Sequence, residues 1–199
     1  MATRTVTDSG STSAPAGMRK DAAQNRARLL DAARRVFATQ GTEAPLEAIA
    51  AEAGVGIATL YRRFATREDL LAVVVEEELL EYVGALESAV ALPDAWRGLT
   101  SFLEQMCAIQ MKHPGLCHAP YVELPNAAKV DELRVRMETL TDRLIDGAKS
   151  QGDLRHDVTA NDVFLLAAAN SGIIATAAAG GQAALQRYLA LMLDAFRAR

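Results

Sequence analysis

PLEAIAAEAGVGIATLYRRFATR, residues 45–67, is the stretch on which the fold of this chain turns. Pro45 suits a first helical position, because its missing N–H would have no helical partner there. Leu46, Ile49, Ala50 and Ala53 then recur at helical spacing, and Gly54 can take the positive φ at which a helix ends. After Val55-Gly56 a second short helix is expected over Ile57–Phe64. On its wheel Leu60 and Phe64 fall on one face with Ile57 near the edge, while Ala58, Thr59 and Arg62 occupy the other, flanked by Tyr61 and Arg63. Two short helices across a tight glycine turn have the spacing of a helix-turn-helix, here residues 45–64. Such pairs also occur in ordinary bundles, where a cationic face is simply solvated. A small, hydroxyl-bearing, cationic face equally fits a major groove, where Arg pairs with guanine edges and Thr or Ala touches a thymine methyl.

Working outward, the preceding segment carries Leu29, Leu30, Ala33, Val36 and Phe37 at helical spacing and predicts a helix from about Lys20 to Gln40, stopped by Gly41. Thr66, with Asp69 three residues on, reads as a capping box with Asp in place of Glu or Gln. The helix it opens runs to about Val90. Further helices are expected from Pro93 to just before Pro114, from Ala127 to Ser150, from Asp157 or Thr159 to near Gly180, and from Ala183 to Arg197, with a loop or short turn over 115–126. No strand pattern or internal repeat is present. Half of the 199 residues are hydrophobic and only 5% aromatic, with much Ala and Leu, which favours helix over sheet. The expectation is an all-α chain of about nine helices. It comprises a disordered tail (1–17, rich in Ser, Thr, Ala and Gly), a three-helix head (18–66), and a helical body (67–199) joined to the head by the long helix.

The formal net charge of −4 is unevenly spread. Arg19–Arg67 holds nine basic residues against five acidic ones, whereas from Glu76 onward 11 basic face 17 acidic. A basic head on an acidic body suits a partner with a phosphate backbone. Two cysteines make no disulfide framework and point to a reducing cytoplasm. Residues 163–186 carry no charge, but Asn170, Ser171, Thr176 and three glycines interrupt them, so a buried helix at a subunit interface is expected rather than a membrane span.

Asn25 to Leu71, carried by NRARLLDAARRVFATQG and LEAIAAEAGVGIATLYRRFATREDLL, resembles the DNA-binding region of the TetR family of transcription regulators along its whole length. The resemblance implies a dimeric regulator, most often a repressor, that binds palindromic double-stranded DNA and is released by a small-molecule effector. It implies that Gly56, Ala58, Thr59 and Arg62 line the base-reading surface, that Tyr61, Arg63 and Arg26 touch phosphate, and that Arg67 stands where the family commonly has Lys. Pro45 departs from the family's Ser or Thr, removing a hydroxyl contact that Thr42 could supply. Ile57-Ala58 departs from the commoner pair, so the operator is not legible.

By the same resemblance the last two helices pair with their copies in a second subunit. Ala167, Ala168, Ala169, Gly172, Ala175 and Ala179 independently permit close helix approach. A pocket for an apolar effector is expected among the fifth helix, the helix after the loop and the uncharged helix, from Trp96, Phe102, Met106, Ile109, Met137, Leu140, Phe164 and Asn170. Most of these are also ordinary core residues at helical spacing; Asn170 stands apart because a buried amide needs partners. Cys107, Met111, His113, Cys117 and His118 gather soft donors, yet at no standard metal spacing, so no metal or cofactor is expected and a metal- or thiol-responsive regulator is the alternative. No catalytic motif is present and an enzyme is not expected. A helical interaction protein that has lost DNA binding is the remaining alternative, raised by Pro45. The expected location is the cytoplasm, at the nucleoid.

Overall fold

The computed structural model describes residues 16–113, 124, 127–176 and 181–198, with the side chains of 16–23 left undescribed. Eight helices run through them: α1 (Ala16–Gln40), α2 (Leu46–Ala53), α3 (Ile57–Tyr61), α4 (Arg67–Val90), α5 (Ala95–Lys112), α6 (Ala128–Ser150), α7 (Ala160–Thr176) and α8 (Gly181–Phe196). The all-α architecture expected from composition is the one found. Among the described residues the single extended pairing is an isolated bridge between Leu154 and Arg197. The expected tail lies outside the described residues up to 15, and α1 starts at Ala16, four residues before Lys20. Ala, Met, Arg and Lys all propagate helix well, so the chain enters α1 early.

The head is a three-helix unit. Helix α1 buries Leu29, Leu30, Ala33, Val36 and Phe37 along one stripe and ends at Gly41 with φ 83°. Pro45 is the N-cap of α2, one residue outside the helix it was expected to begin. Gly54 closes α2 in the left-handed region, φ 66°, donating its N–H back to the helix; a side chain here would be strained by roughly 1 kcal/mol. Helix α3 stops at Tyr61 rather than Phe64, but the Arg63 and Phe64 amides still donate to the Leu60 carbonyl at 2.8 and 2.9 Å. That extra turn keeps Phe64 directed into the core.

Helix α4 leaves the head and enters the body without a break. Its start is the capping box read from sequence: the Asp69 N–H donates to Thr66 Oγ1 and the Thr66 N–H to Asp69 Oδ2, each at 3.0 Å. Its first turns pack on α1, and the remainder packs on α5 and α6. Helix α5 is capped by Asp94, whose carboxylate accepts from the Arg97 N–H, so it begins two residues after Pro93. The two helices cross so closely that a Cβ on Gly98 would lie 2.6 Å from the Ala89 carbonyl oxygen. Thr159, not Asp157, precedes α7, with its N–H and hydroxyl both donating to Asp162. Helices α7 and α8 pack against α5 and each other, leaving Leu165 and Leu191 largely exposed. None of the described helices is long and apolar enough to cross a membrane.

Candidate nucleic-acid interface

Helix α3 is amphipathic in the sense its wheel predicts. Leu60 is fully buried and Phe64 nearly so, while Gly56, Ala58, Tyr61, Arg62 and Arg63 are exposed and Thr59 is half-buried. Ile57 is more open than its edge position suggested, at 36% exposure. The anchors and the outward groups alternate within two turns, so burial of Leu60 and Phe64 fixes the direction of Arg62 and Tyr61. Burying two such side chains stabilises the docking of α3 by about 3–6 kcal/mol before entropy is counted.

Arginines of α1 and α4 form ion pairs that link the segments of the head. Arg35 reaches Glu52 at 2.7 Å, tying α1 to α2. Arg67, half-buried at the first position of α4, binds the Glu43 carboxylate at 2.8 Å, the Glu43 carbonyl at 3.1 Å and Glu68 at 3.2 Å. The Glu68 carboxyl is held below its ordinary range by its own backbone amide at the helix start and by Arg67. Arg26, exposed on α1, binds Glu77 of α4 at 3.0 Å, and Arg34 binds the other oxygen of the same carboxylate. Pro45 offers α2 no side-chain cap. Thr42 sits half-buried in the turn after Gly41.

In the body, Asn170 is fully buried. Its amide donates to Gln110 Oε1 at 3.0 Å and to Cys107 Sγ at 3.3 Å, and Gln110 donates in turn to the Ala167 carbonyl at 2.9 Å. Asn170 Oδ1 has no protein partner among the described residues, and neither has Glu78 Oε2 on α4. Burial raises the Glu78 carboxyl to about 8, against a weaker opposing effect from the Tyr82 hydroxyl, which donates to it at 3.4 Å. An open cleft of about 490 Å³ lies between α5 and α8, lined by Cys107, Ala108, Met111, Leu185, Leu189 and Leu193 among others.

Two family models match this chain. Residues 29–74 match that of bacterial regulatory proteins of the TetR family, and residues 94–198 match the C-terminal domain of SbtR-like transcriptional regulators. The chain belongs to the TetR family. It is a DNA-binding transcription regulator rather than an enzyme. An HTH-type transcriptional regulator of Staphylococcus aureus is 39% identical over 67 residues, 33% of this chain and 36% of that protein. The chain therefore matches only about a third of the length of the curated relatives it resembles. Solved structures extend the likeness to the body. A TetR regulator from Mycobacterium vanbaalenii is 26% identical, covering 90% of this chain and 99% of that one with a TM-score of 0.57. SCO0520 from Streptomyces coelicolor is 29% identical over 87% and 98%, with a TM-score of 0.56. The ketosteroid regulator KstR2 of Mycobacterium tuberculosis shares the fold, with a TM-score of 0.71 at 18% identity.

In the TetR-family head Gly56, Ala58, Tyr61, Arg62 and Arg63 are exposed on and beside α3 and Thr59 is half-buried, while Arg26 on α1 and Arg67 on α4 are both in ion pairs. The eight residues expected to form a pocket are less unified. Phe102, Met106, Ile109 and Met137 are buried in the common core, and Leu140 and Phe164 are half-buried. Trp96 sits at the start of α5, with the Arg197 guanidinium 5.0 Å from its ring centre. None of the eight lines the cleft between α5 and α8; Cys107 and Met111 do. Of the soft-donor cluster, Cys117 and His118 lie outside the described residues. Burial pushes the Cys107 thiol up to about 11, and burial, then Arg34, lowers His113. The described residues contain no group of three His, Cys, Asp or Glu able to hold a metal ion.

Glu78 and Gln110 escaped the sequence reading. Both stand on apolar stripes: Glu78 lies four residues after Val74 and four before Tyr82, and Gln110 follows Met106 and Cys107 by four and three. A polar residue at a stripe position is the signal that could have found them.

Proposed function

We propose that this TetR-family protein is a homodimeric repressor that reads a palindromic operator with α3 and is released when a small molecule enters its body. The observation that carries this reading is the pairing, on α3 and the turn that follows it, of buried Leu60 and Phe64 with outward Ala58, Tyr61, Arg62 and Arg63. Gly56, Ala58, Thr59 and Arg62 face base edges in it, and Tyr61, Arg63, Arg26, Arg67 and Thr42 face phosphates. Dimerisation through α7 and α8 is supported by Leu165, Ala168, Ala169, Gly172 and Ala175, which expose an uncharged stripe at helical spacing on α7, and by exposed Leu191 on α8. Two-fold symmetry would set the two α3 helices about 34–36 Å apart, one turn of the duplex.

Release needs a ligand with different affinity for the two states of the head, transmitted by α4, which is continuous from one domain to the other. The polar group of Asn170, Gln110 and Cys107 and the neighbouring cleft support an effector with a mainly apolar body. Selecting bound duplexes from a random pool tests the reading. An enriched palindrome, lost in Arg62→Ala, is expected; no enrichment over bulk duplex counts against it.

A further inference from the structure

Glu77 touches two arginines of the head from the helix that leaves it. Its two oxygens are divided between Arg26 and Arg34, and Arg34 is held in addition by Asp31 at 3.0 Å. One turn further along α4, Glu81 holds Lys112 at 2.8 Å and stands 3.6 Å from His113, at the end of α5. Helix α4 therefore carries two successive ion-pair rungs, Glu77 to the head and Glu81 to the body. Both rungs move with any rotation or shift of that helix.

We infer that Glu77 is a positioning residue that competes with the DNA backbone for Arg26, so that the setting of α4 decides how available this arginine is to phosphate. The inference rests on the assignment of Arg26 as a phosphate contact. Arg26 and Glu77 are both partly solvent-exposed, with side chains 45% and 34% accessible, so the pair is weak enough for a phosphate to displace. The guanidinium cannot serve the carboxylate and a phosphate with the same donors. A phosphate that takes the Arg26 Nη1 donor breaks the Glu77 contact in each head, and a shift of α4 that tightens the contact lowers DNA affinity without touching α3. Arg34 is less exposed and keeps Asp31, its neighbour on α1, when Glu77 is lost, so its guanidinium stays paired within α1 rather than being freed for phosphate.

The test uses the full chain and a mixed-sequence duplex long enough to span two successive major grooves, because phosphate contacts are read without sequence. Dissociation constants are measured against salt for wild type, Glu77→Gln, Arg26→Ala and the double variant, with Glu76→Gln as a control for loss of an adjacent acid. Glu77→Gln is expected to bind about two- to thirtyfold tighter at low salt, the range for one exposed ion pair squared over two heads. Its salt slope should be steeper by up to about 0.9 per head. Both effects should vanish in the Arg26→Ala background and be absent from Glu76→Gln.

Unchanged or weaker binding by Glu77→Gln, with Arg26→Ala still reducing affinity, overturns the inference while leaving the phosphate contact standing. An equal gain in Glu76→Gln also overturns it, since only the general field would then be at work. An Arg26→Ala variant that binds and titrates like wild type removes the contact itself and the inference with it. Wild-type protein without affinity for duplex DNA would refute the proposed function as well.

Discussion

Glu78 offers a quantitative test of the fold, because its burial has a consequence that depends on pH. It lies on the buried stripe of α4, is 2% exposed, and has one oxygen without a partner among the described residues. Its carboxyl is raised from an ordinary 4.5 to about 8, chiefly by desolvation. The folded state therefore binds this proton more tightly than the unfolded chain does. Stability from this group is complete below about pH 4.5 and is lost as pH rises towards 8. At about 1.36 kcal/mol per pH unit, the loss approaches ~5 kcal/mol above pH 8, and ~3 kcal/mol of it is already present near pH 7.

Glu78→Gln keeps the shape and removes the titration, but leaves an incompletely paired amide that costs ~1–3 kcal/mol. The variant should therefore match or fall slightly below wild type near pH 5, and exceed it by ~1–2 kcal/mol around neutrality, with the gap widening towards about pH 8.5. Urea unfolding followed by circular dichroism at one fixed protein concentration reads this difference directly. A wild-type-minus-variant difference that stays flat across the pH range would refute the buried, proton-holding Glu78.

Three further outcomes follow from the packing. Gly98→Ala should lower stability by ~1–2 kcal/mol in thermal unfolding, because its Cβ would meet the Ala89 carbonyl at 2.6 Å and Leu144 Cδ1 at 3.0 Å, an overpacking larger than the helix-propensity gain; a raised melting temperature would show that α4 and α5 can part freely. Thr66→Ala removes the acceptor for the Asp69 N–H and should cost ~0.5–2 kcal/mol in urea unfolding, and a neutral result would mean the capping box contributes nothing to α4. Leu191→Lys, at a largely exposed position on α8, should shift sedimentation from dimer to monomer with the far-ultraviolet spectrum unchanged. A dimer of undiminished affinity would place the subunit contact elsewhere.

The features legible in the sequence are those settled within a few residues. Gly41 and Gly54 end helices because a positive φ is a property of the residue itself. Thr66 and Asp69 cap α4 because the partners are three residues apart. Leu60 and Phe64 face inward while Arg62 faces outward because helical geometry leaves no other arrangement once one face is buried. The family of the head was legible for the same reason, since its motif is a run of such local rules. Helix ends slipped by a few residues at α1, α3 and α5, where capping by Asp94 or a turn after Tyr61 competed with propensity.

What sits opposite a stripe was decided only by the tertiary structure. Periodicity predicts that position 78 or 110 is buried, but not that Gln110 meets Asn170 sixty residues away, or that Glu78 keeps an unmatched oxygen. The expected pocket residues were chosen as apolar and helical, and most became core, because the same pattern serves both ends. The cleft between α5 and α8 is lined by residues of two helices far apart in the chain, a pairing that neither helix encodes alone. Likewise Arg26 and Glu77 are 51 positions apart and become partners only when α1 docks on α4. Local chemistry therefore set which side chains of α3 point outward, while long-range packing set the ion pairs that join α1 to α4 and α4 to α5.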